Sequence, residues 1–188
     1  MKNDIELKEI LVADAIALGA TKAEVIPVSV IETDAAFRDM CAANACGVYG
    51  KCWMCPPEIG PIEELMAEIR KYDYALVYQL IGELEDSFDF EGMQEAGDRM
   101  NTLSQKLRRT CAERGLKAPL HLGAGGCRVC PVCAKRTDEP CRYPELAMSS
   151  LEAYGINVSK LAPAANMKYI NGQNTVTYFG AVFFRNEA

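Results

Sequence analysis

Cysteine is the residue type that brings chemistry to this chain, which contains nine of them among 188 residues. Their spacing separates two groups of four and leaves one over. The first group comprises Cys41, Cys46, Cys52 and Cys55, the second comprises Cys127, Cys130, Cys133 and Cys141, and the ninth is Cys111. Thiolates are preferred ligands of zinc and of iron–sulfur clusters, so each group predicts a metal site.

The second group has the more specific spacing, Cys-x2-Cys-x2-Cys-x7-Cys. Three thiolates at three-residue steps can hold three corners of one metal–sulfide cube, as in the bacterial ferredoxin run. The fourth thiolate, Cys141, follows Pro140 after a gap that can span up to about 25 Å. Four-cysteine zinc sites normally consist of two separated Cys-x-x-Cys pairs, so zinc is the alternative here. We predict a [4Fe–4S] cluster at Cys127, Cys130, Cys133 and Cys141.

The first group, Cys-x4-Cys-x5-Cys-x2-Cys, is less regular. Glycines and prolines shape a tight loop around it, and its last cysteine precedes Pro56, like the Cys-Pro end of ferredoxin runs. We predict a second [4Fe–4S] cluster at Cys41, Cys46, Cys52 and Cys55. A zinc site and unmetallated redox thiols are the alternatives.

Several residues near the two groups have a structural and a functional interpretation. Trp53 is expected to shield the first site, with substrate stacking as the alternative. Cys111 shares a helical face with apolar residues and is interpreted as a core thiol. His121 is interpreted as a hydrogen-bonded structural histidine, with proton transfer near the second site as the alternative. The basic residues Arg128, Lys135, Arg136 and Arg142 either offset the charge of a cluster or are solvated.

The composition limits the other function classes. The net charge of −6 and the pI near 5.0 argue against nucleic-acid binding and against binding to anionic membranes. The charged start of the chain lacks the apolar segment of a secretory signal, and no apolar run is long enough to span a bilayer. We therefore expect a cytoplasmic location, where thiols stay reduced. The length of 188 residues predicts a single domain, residues 1–188.

Hydrophobic periodicity predicts alternating helices and strands. The predicted helices cover about Asp4–Leu18 with Asn3 as N-cap, a segment beginning at Pro61, Glu91–Arg114, a short segment capped by Ser149, and another that is capped by Asn157 and runs through Leu161. The predicted strands cover Ala23–Ile31, Tyr74–Ile81 and Pro119–Leu122. Met167–Ile170 and Thr175–Phe184 are expected to form a C-terminal β-hairpin around Asn171-Gly172.

These elements predict an α/β or mixed α+β fold in which helices flank a single sheet. The fold would carry two cysteine-rich metal-binding loops and end in the β-hairpin. Because each cysteine group follows a predicted strand, we expect the two groups to meet at the same edge of the sheet.

Two stretches of the sequence resemble one known family. One contains Cys46-Gly47-Val48-Tyr49-Gly50-Lys51 and Cys55-Pro56-Pro57, and the other contains Pro140-Cys141-Arg142-Tyr143-Pro144 and Ser150-Leu151-Glu152-Ala153-Tyr154-Gly155. Together they resemble the DUF2284 family of predicted metal-binding proteins. The resemblance implies metal ligands at Cys41, Cys46 and Cys55 and has no fixed cysteine at position 52. A cluster with three thiolates and one open iron is therefore an alternative at the first site.

Three functions follow from these predictions. The leading hypothesis is an iron–sulfur protein with two [4Fe–4S] clusters that exchanges electrons with a redox protein partner. The second is a redox enzyme that uses an open iron at the first cluster. The third is a zinc-binding structural or interaction module. The sequence leaves open whether the protein is an enzyme.

Overall fold

One five-stranded sheet carries the fold in the computed structural model, which describes residues 4–186. The helices are α1 (Asp4–Ala17), α2 (Phe37–Ala42), α3 (Ile62–Ile69), α4 (Phe90–Glu113) and α5 (Val158–Ala164). The strands are β1 (Lys22–Pro27), β2 (Tyr74–Glu83), β3 (Leu120–Gly123), β4 (Ser149–Ser150) and β5 (Thr175–Phe184). The strand order is β1-β2-β5-β3-β4, and only the β3–β4 pair is parallel. The architecture is mixed α+β with a single sheet flanked by helices, as predicted.

Alternating residues of the central strands build a core on each face of the sheet. Ala75 and Val77 of β2 face a cluster that includes residues of α3 and α5. Leu76 and Tyr78 face the opposite cluster, which includes residues of α1 and α4. Helices therefore cover both faces, which explains why β2 and β5 are long apolar runs rather than amphipathic strands.

Cys111 belongs to the core between the sheet and α4. Its side chain is fully buried. Burial raises the pKa of this thiol to about 12. The interpretation of Cys111 as a core thiol is confirmed.

Two predicted features are wrong in the structure, and a third lies on a residue that the structure does not describe. The C-terminal β-hairpin is wrong, because Met167–Ile170 forms no strand and β5 instead pairs with β2 and β3. The helix cap at Ser149 is also wrong, since Ser149 lies in β4 and Ser150 accepts the hydrogen bond from the N–H of Ala153. The predicted N-cap Asn3 lies outside the described residues.

The two cysteine groups do not follow strands that end at the same edge of the sheet. Three successive antiparallel pairings, β1–β2, β2–β5 and β5–β3, give β1 and β3 opposite directions. The C-terminal ends of β1 and β3 therefore lie at opposite ends of the sheet. Residues 28–61 carry the first group back across the molecule. Backbone hydrogen bonds anchor this segment to residues that follow the second group, from Asp34 to Gly155 (2.7 Å) and from Asn157 to Glu32 (3.2 Å).

Within residues 4–186, no helix has both the length and the apolar character that crossing a lipid bilayer requires.

Candidate metal centre

The first cysteine group begins on a short helix that the sequence did not reveal. Cys41 lies on α2, which has only six residues. The Asp34 carboxylate accepts a hydrogen bond from the N–H of Ala36 (2.9 Å) just before the helix starts. Arg38 lies three residues before Cys41, so both side chains lie on the same side of α2.

The remaining cysteines of the first group follow in a tightly folded loop. Gly50 adopts a positive φ of 66°, which favours glycine, and its N–H donates to the carbonyl of Pro56 (2.9 Å). The loop places Cys52 and Cys55 in the interior, with exposed fractions of 4% and 9%, whereas Cys46 is exposed. This group therefore spans from the protein surface to its interior.

The second cysteine group lines a small cavity. Its lining includes Cys127, Cys130, Cys133, Cys141 and also Cys52. The four members of the predicted second group therefore meet around one space, together with a cysteine that was predicted to serve the first group.

Backbone groups support the cysteine that begins the second group. The Cys127 sulfur accepts hydrogen bonds from the N–H groups of Val129 and Met148. Burial nevertheless raises the pKa of this thiol, because it disfavours the thiolate more than these bonds favour it.

Side-chain contacts join the two cysteine loops. The Trp53 indole N–H donates to the carbonyl of Glu139 (2.8 Å). The Lys135 ammonium lies 4.5 Å from the centre of the Trp53 ring and forms an ion pair with Glu58 (3.3 Å). An ideal Cβ built on Gly126 would lie 3.9 Å from the Cys55 sulfur, so the second loop approaches the first closely.

Cys52 lies where the two groups meet. It interacts with the thiols of Cys55 and Cys133, and its sulfur accepts hydrogen bonds from the N–H groups of Met54 and Cys127. The hydrogen bond with the Cys55 thiol is the largest influence and lowers the pKa of Cys52 to about 6, while the same bond raises the pKa of Cys55. Cys52 is therefore the thiol of this pair that the fold favours as a thiolate.

Comparison with known proteins identifies the family. The family model described as "Predicted metal-binding protein (DUF2284)" matches residues 24–184, which include both cysteine groups and the whole sheet except the first two residues of β1. The chain belongs to the DUF2284 family. Comparisons with the curated proteins and with the solved structures find no match.

The metal that DUF2284 implies fits the donor set of the two loops. Eight thiols are available, and all of them except Cys46 are buried or half-buried. As placed, no three His, Cys, Asp or Glu side chains within residues 4–186 lie close enough to hold one metal ion. Thiolates are ligands of zinc and of iron–sulfur clusters alike, so the residues present fit either group.

Arg38 brings buried, unpaired hydrogen-bond donors to the first cysteine group. Its Nη1 donates to the carbonyl of Gly60 (2.8 Å). Its Nε and Nη2 are buried, and they have no acceptor within the described part of the chain. Buried donors normally find an acceptor, and the sulfur atoms of a metal centre at Cys41 would supply one.

Burial and the nearby charges shift the pKa of the Cys41 thiol in opposite directions. Burial raises the pKa of the Cys41 thiol, and Arg38 acts in the opposite direction because its positive charge favours the thiolate. Glu152 adds to the rise, and burial also raises the pKa of its own carboxyl group. Arg38 is therefore the positive charge that would favour thiolate ligands at this site.

Arg38 and Glu152 were not predicted as parts of the site, and Cys52 was predicted to serve the first group alone. Arg38 and Cys41 have helical i, i+3 spacing, but a six-residue helix carries too little periodicity to reveal it. The two predicted roles of Trp53 are not decided by its contacts, which join the loops.

The basic residues of the second loop are partly paired with carboxylates. Arg128 pairs with Asp98 (3.0 Å), and Arg142 pairs with Glu139 (3.1 Å). The charge that they offer to a cluster is therefore partly neutralised already.

His121 is buried beside Arg108 rather than at the cysteine cavity. Its exposed fraction is 9%, and its Nδ1 has no hydrogen-bond partner in the described residues. Burial, and secondly the charge of Arg108, lower the pKa of His121 to about 3. The imidazole is therefore structural and neutral, but the predicted hydrogen bond is missing at Nδ1.

Proposed function

We propose that this DUF2284 protein binds two [4Fe–4S] clusters and exchanges electrons with a partner protein. The observation that carries the proposal is the convergence of two four-cysteine groups, with Cys52 in contact with both. Cys127, Cys130, Cys133 and Cys141 would hold the second cluster. Cys41, Cys46 and Cys55 would hold three irons of the first cluster, and Cys52 is the thiol available for its fourth.

The fold supplies what such clusters need from a protein. When bound, a [4Fe–4S] cluster supplies a centre that accepts and returns one electron. N–H groups of Val129 and Met148 point to the Cys127 sulfur, and such hydrogen bonds tune the reduction potential. Trp53 and Lys135 hold the two loops together, so the chain fixes the distance between the two groups.

Exposed apolar side chains around the second group favour a partner that docks there. Val132, between Cys130 and Cys133, has an exposed fraction of 58%, and Tyr143, two residues after Cys141, has one of 46%. A partner that covers these side chains would come close to the second cluster, and electron transfer requires such a short distance.

The proposal is tested by metal and sulfide analysis of protein purified without oxygen. We expect about eight iron and eight sulfide per chain, with visible absorption that bleaches reversibly on one-electron reduction. Cys130→Ala should lower the iron content, whereas Cys111→Ala, which changes a core thiol, should leave it unchanged. Zinc without sulfide would overturn the proposal and favour the zinc-binding module.

A second candidate function is redox catalysis at an open iron of the first cluster. The observation that favours it is the position of Cys52 in the wall of the cavity that the second cysteine group lines, which leaves three thiolates for the first site. If Cys52 is not a ligand, Cys52→Ala keeps all eight irons, and cyanide added to the reduced protein changes the spectrum of one cluster. Loss of about four irons in Cys52→Ala would exclude this candidate.

A further inference from the structure

A second cavity adjoins the cysteine cavity and shares Cys127 with it. It is small and lies between α4 and the glycine-rich segment that leads from β3 into the second cysteine group. Cys127 lines both cavities and thus forms part of the wall between them. A molecule in the second cavity would therefore lie directly beside the second cysteine group.

Ser149 places an unpaired hydroxyl group at this cavity. The residue lies in β4, has an exposed fraction of 2%, and lines the cavity. Its Oγ is buried and has no hydrogen-bond partner within residues 4–186. A buried hydroxyl without a partner costs about 1–3 kcal/mol, so a ligand that bonds to it gains that interaction.

Arg128 gives the cavity its charge. Its guanidinium lies across Gly97 of α4, so closely that an ideal Cβ at position 97 would lie 2.9 Å from the guanidinium carbon. Nη1 pairs with Asp98 (3.0 Å), whose side chain is 63% exposed and does not line the cavity. Arg128 is the only charged residue among those that line the cavity in the described chain.

Asn101 adds an amide group on the same side. It lies four residues after Gly97 on α4, so the two positions share one face of the helix, and both line the cavity. The cavity thus combines a guanidinium, a hydroxyl and an amide. All three are hydrogen-bond donors, and no carboxylate of the lining opposes them.

We propose that this cavity binds a small oxyanion, namely the carboxylate or phosphate group of an organic molecule, next to the second cysteine group. Guanidinium groups recognise oxyanions through paired, charge-assisted hydrogen bonds, and the hydroxyl and amide groups complete the donor set. Gly97 is part of the site, because a larger residue would displace Arg128. The binding proposal does not depend on which metal the cysteines hold.

Calorimetric titration of the metal-loaded protein with acetate and with inorganic phosphate tests the proposal. We expect saturable binding of at least one probe, and the tighter one identifies the carboxylate or phosphate class. Arg128→Gln should weaken binding about 10-fold or more, and Ser149→Ala about fivefold. Arg136→Gln changes an exposed basic residue of the same loop that does not line the cavity, so it should bind like the original protein.

Ser149→Ala also tests whether a loss of binding results from misfolding of the variant. It removes an unpaired buried hydroxyl, so the variant should unfold at the same temperature or higher. The absence of saturable binding of both probes would overturn the proposal, as would binding that neither variant weakens. Iron analysis of the same samples separates the two proposals, because anion binding without iron leaves this site standing while the cluster assignment fails.

Discussion

The indole N–H of Trp53 donates to the carbonyl oxygen of Glu139 at 2.8 Å, across 86 residues of sequence. This hydrogen bond joins the loop of the first cysteine group to the loop of the second. Together with Lys135, which lies over the Trp53 ring and pairs with Glu58, it sets how the two groups face each other.

Trp53→Phe should weaken this junction between the two loops without creating a large cavity. The variant loses a hydrogen bond worth about 0.5–1.5 kcal/mol and weakens the contact with Lys135. We expect faster release of metal to a chelator and a slightly lower unfolding temperature. Tyr169→Phe, at an exposed position that does not line the cysteine cavity, serves as the control and should release metal at the original rate. Equal rates in all three proteins would show that the junction does not hold the loops.

If the first cysteine group holds a [4Fe–4S] cluster, as proposed, Arg38→Gln should lower the reduction potential of that cluster. The positive charge and the two unpaired N–H groups of Arg38 favour the more negative, reduced state. Removing them should shift the potential downward by about 60 mV, which corresponds to about 1.4 kcal/mol. A redox titration monitored by electron paramagnetic resonance gives the value.

Two controls separate charge from hydrogen bonding at this position. Arg38→Lys keeps the charge and should shift the potential less than Arg38→Gln. Arg109→Gln removes an exposed charge on α4 and should leave the potential where it was. A potential that is the same in Arg38→Gln and in the original protein would refute the assignment of Arg38 as a donor to the centre.

His121 should remain neutral well below the pH at which histidine ordinarily titrates. Burial holds its pKa at about 3, and the chain has no other histidine, so its ring signals in a nuclear magnetic resonance spectrum are unambiguous. We expect no titration between pH 8 and pH 5. A midpoint near pH 6.5 would contradict the buried, neutral imidazole.

The same pKa sets the direction of a stability change. The unfolded chain takes up a proton at its histidine near pH 6.5, whereas the folded chain does not until about pH 3. The contribution of His121 to folding is therefore present above pH 6.5 and declines as the pH falls, by about 2 kcal/mol at pH 5. Substitution of His121 by Gln should remove this part of the acid sensitivity, which unfolding at pH 7 and pH 5 measures.

Cys111 should resist alkylation in the folded protein. Burial raises its pKa to about 12, and its side chain is inaccessible. After metal removal, iodoacetamide at pH 8 should label the exposed Cys46 quickly and leave Cys111 unmodified, as mass spectrometry of the peptides would show. The raised pKa also means that its stabilising contribution is lost as the pH rises above about 9. Rapid labelling of Cys111 in the native state would contradict its place in the core.

The sequence predicted those features that local patterns encode. The 24-residue helix α4 was found to within one residue at each end, because its apolar stripe repeats over many turns. The hairpin failed because β5 pairs with β2, so that Tyr74 lies opposite Phe184, and no local turn signal reports such a distant partner. The prediction of a single-sheet α+β class is correct despite this error, because the class depends on the kinds of element present.

For the candidate site, too, the sequence predicted the features that local patterns encode and not those that depend on distant contacts. Cysteine spacing identified both groups, since a run such as Cys127-x2-Cys130-x2-Cys133 is a local pattern. The position of Cys52 could not be read in this way, because it depends on how the two loops dock through Trp53 and Glu139. The orphaned N–H groups of Arg38 likewise become visible only once its neighbours are in place.

The central position of β5 has a consequence for biosynthesis. This strand is inserted between β2 and β3, yet the ribosome makes it after all eight cysteines of the two groups. At about 5–20 residues per second, a nascent chain would expose those thiols for some seconds before the sheet can close. Oxidation or capture of the wrong metal is then a hazard of synthesis, because the sheet that supports both cysteine groups is complete only after β5 has been made.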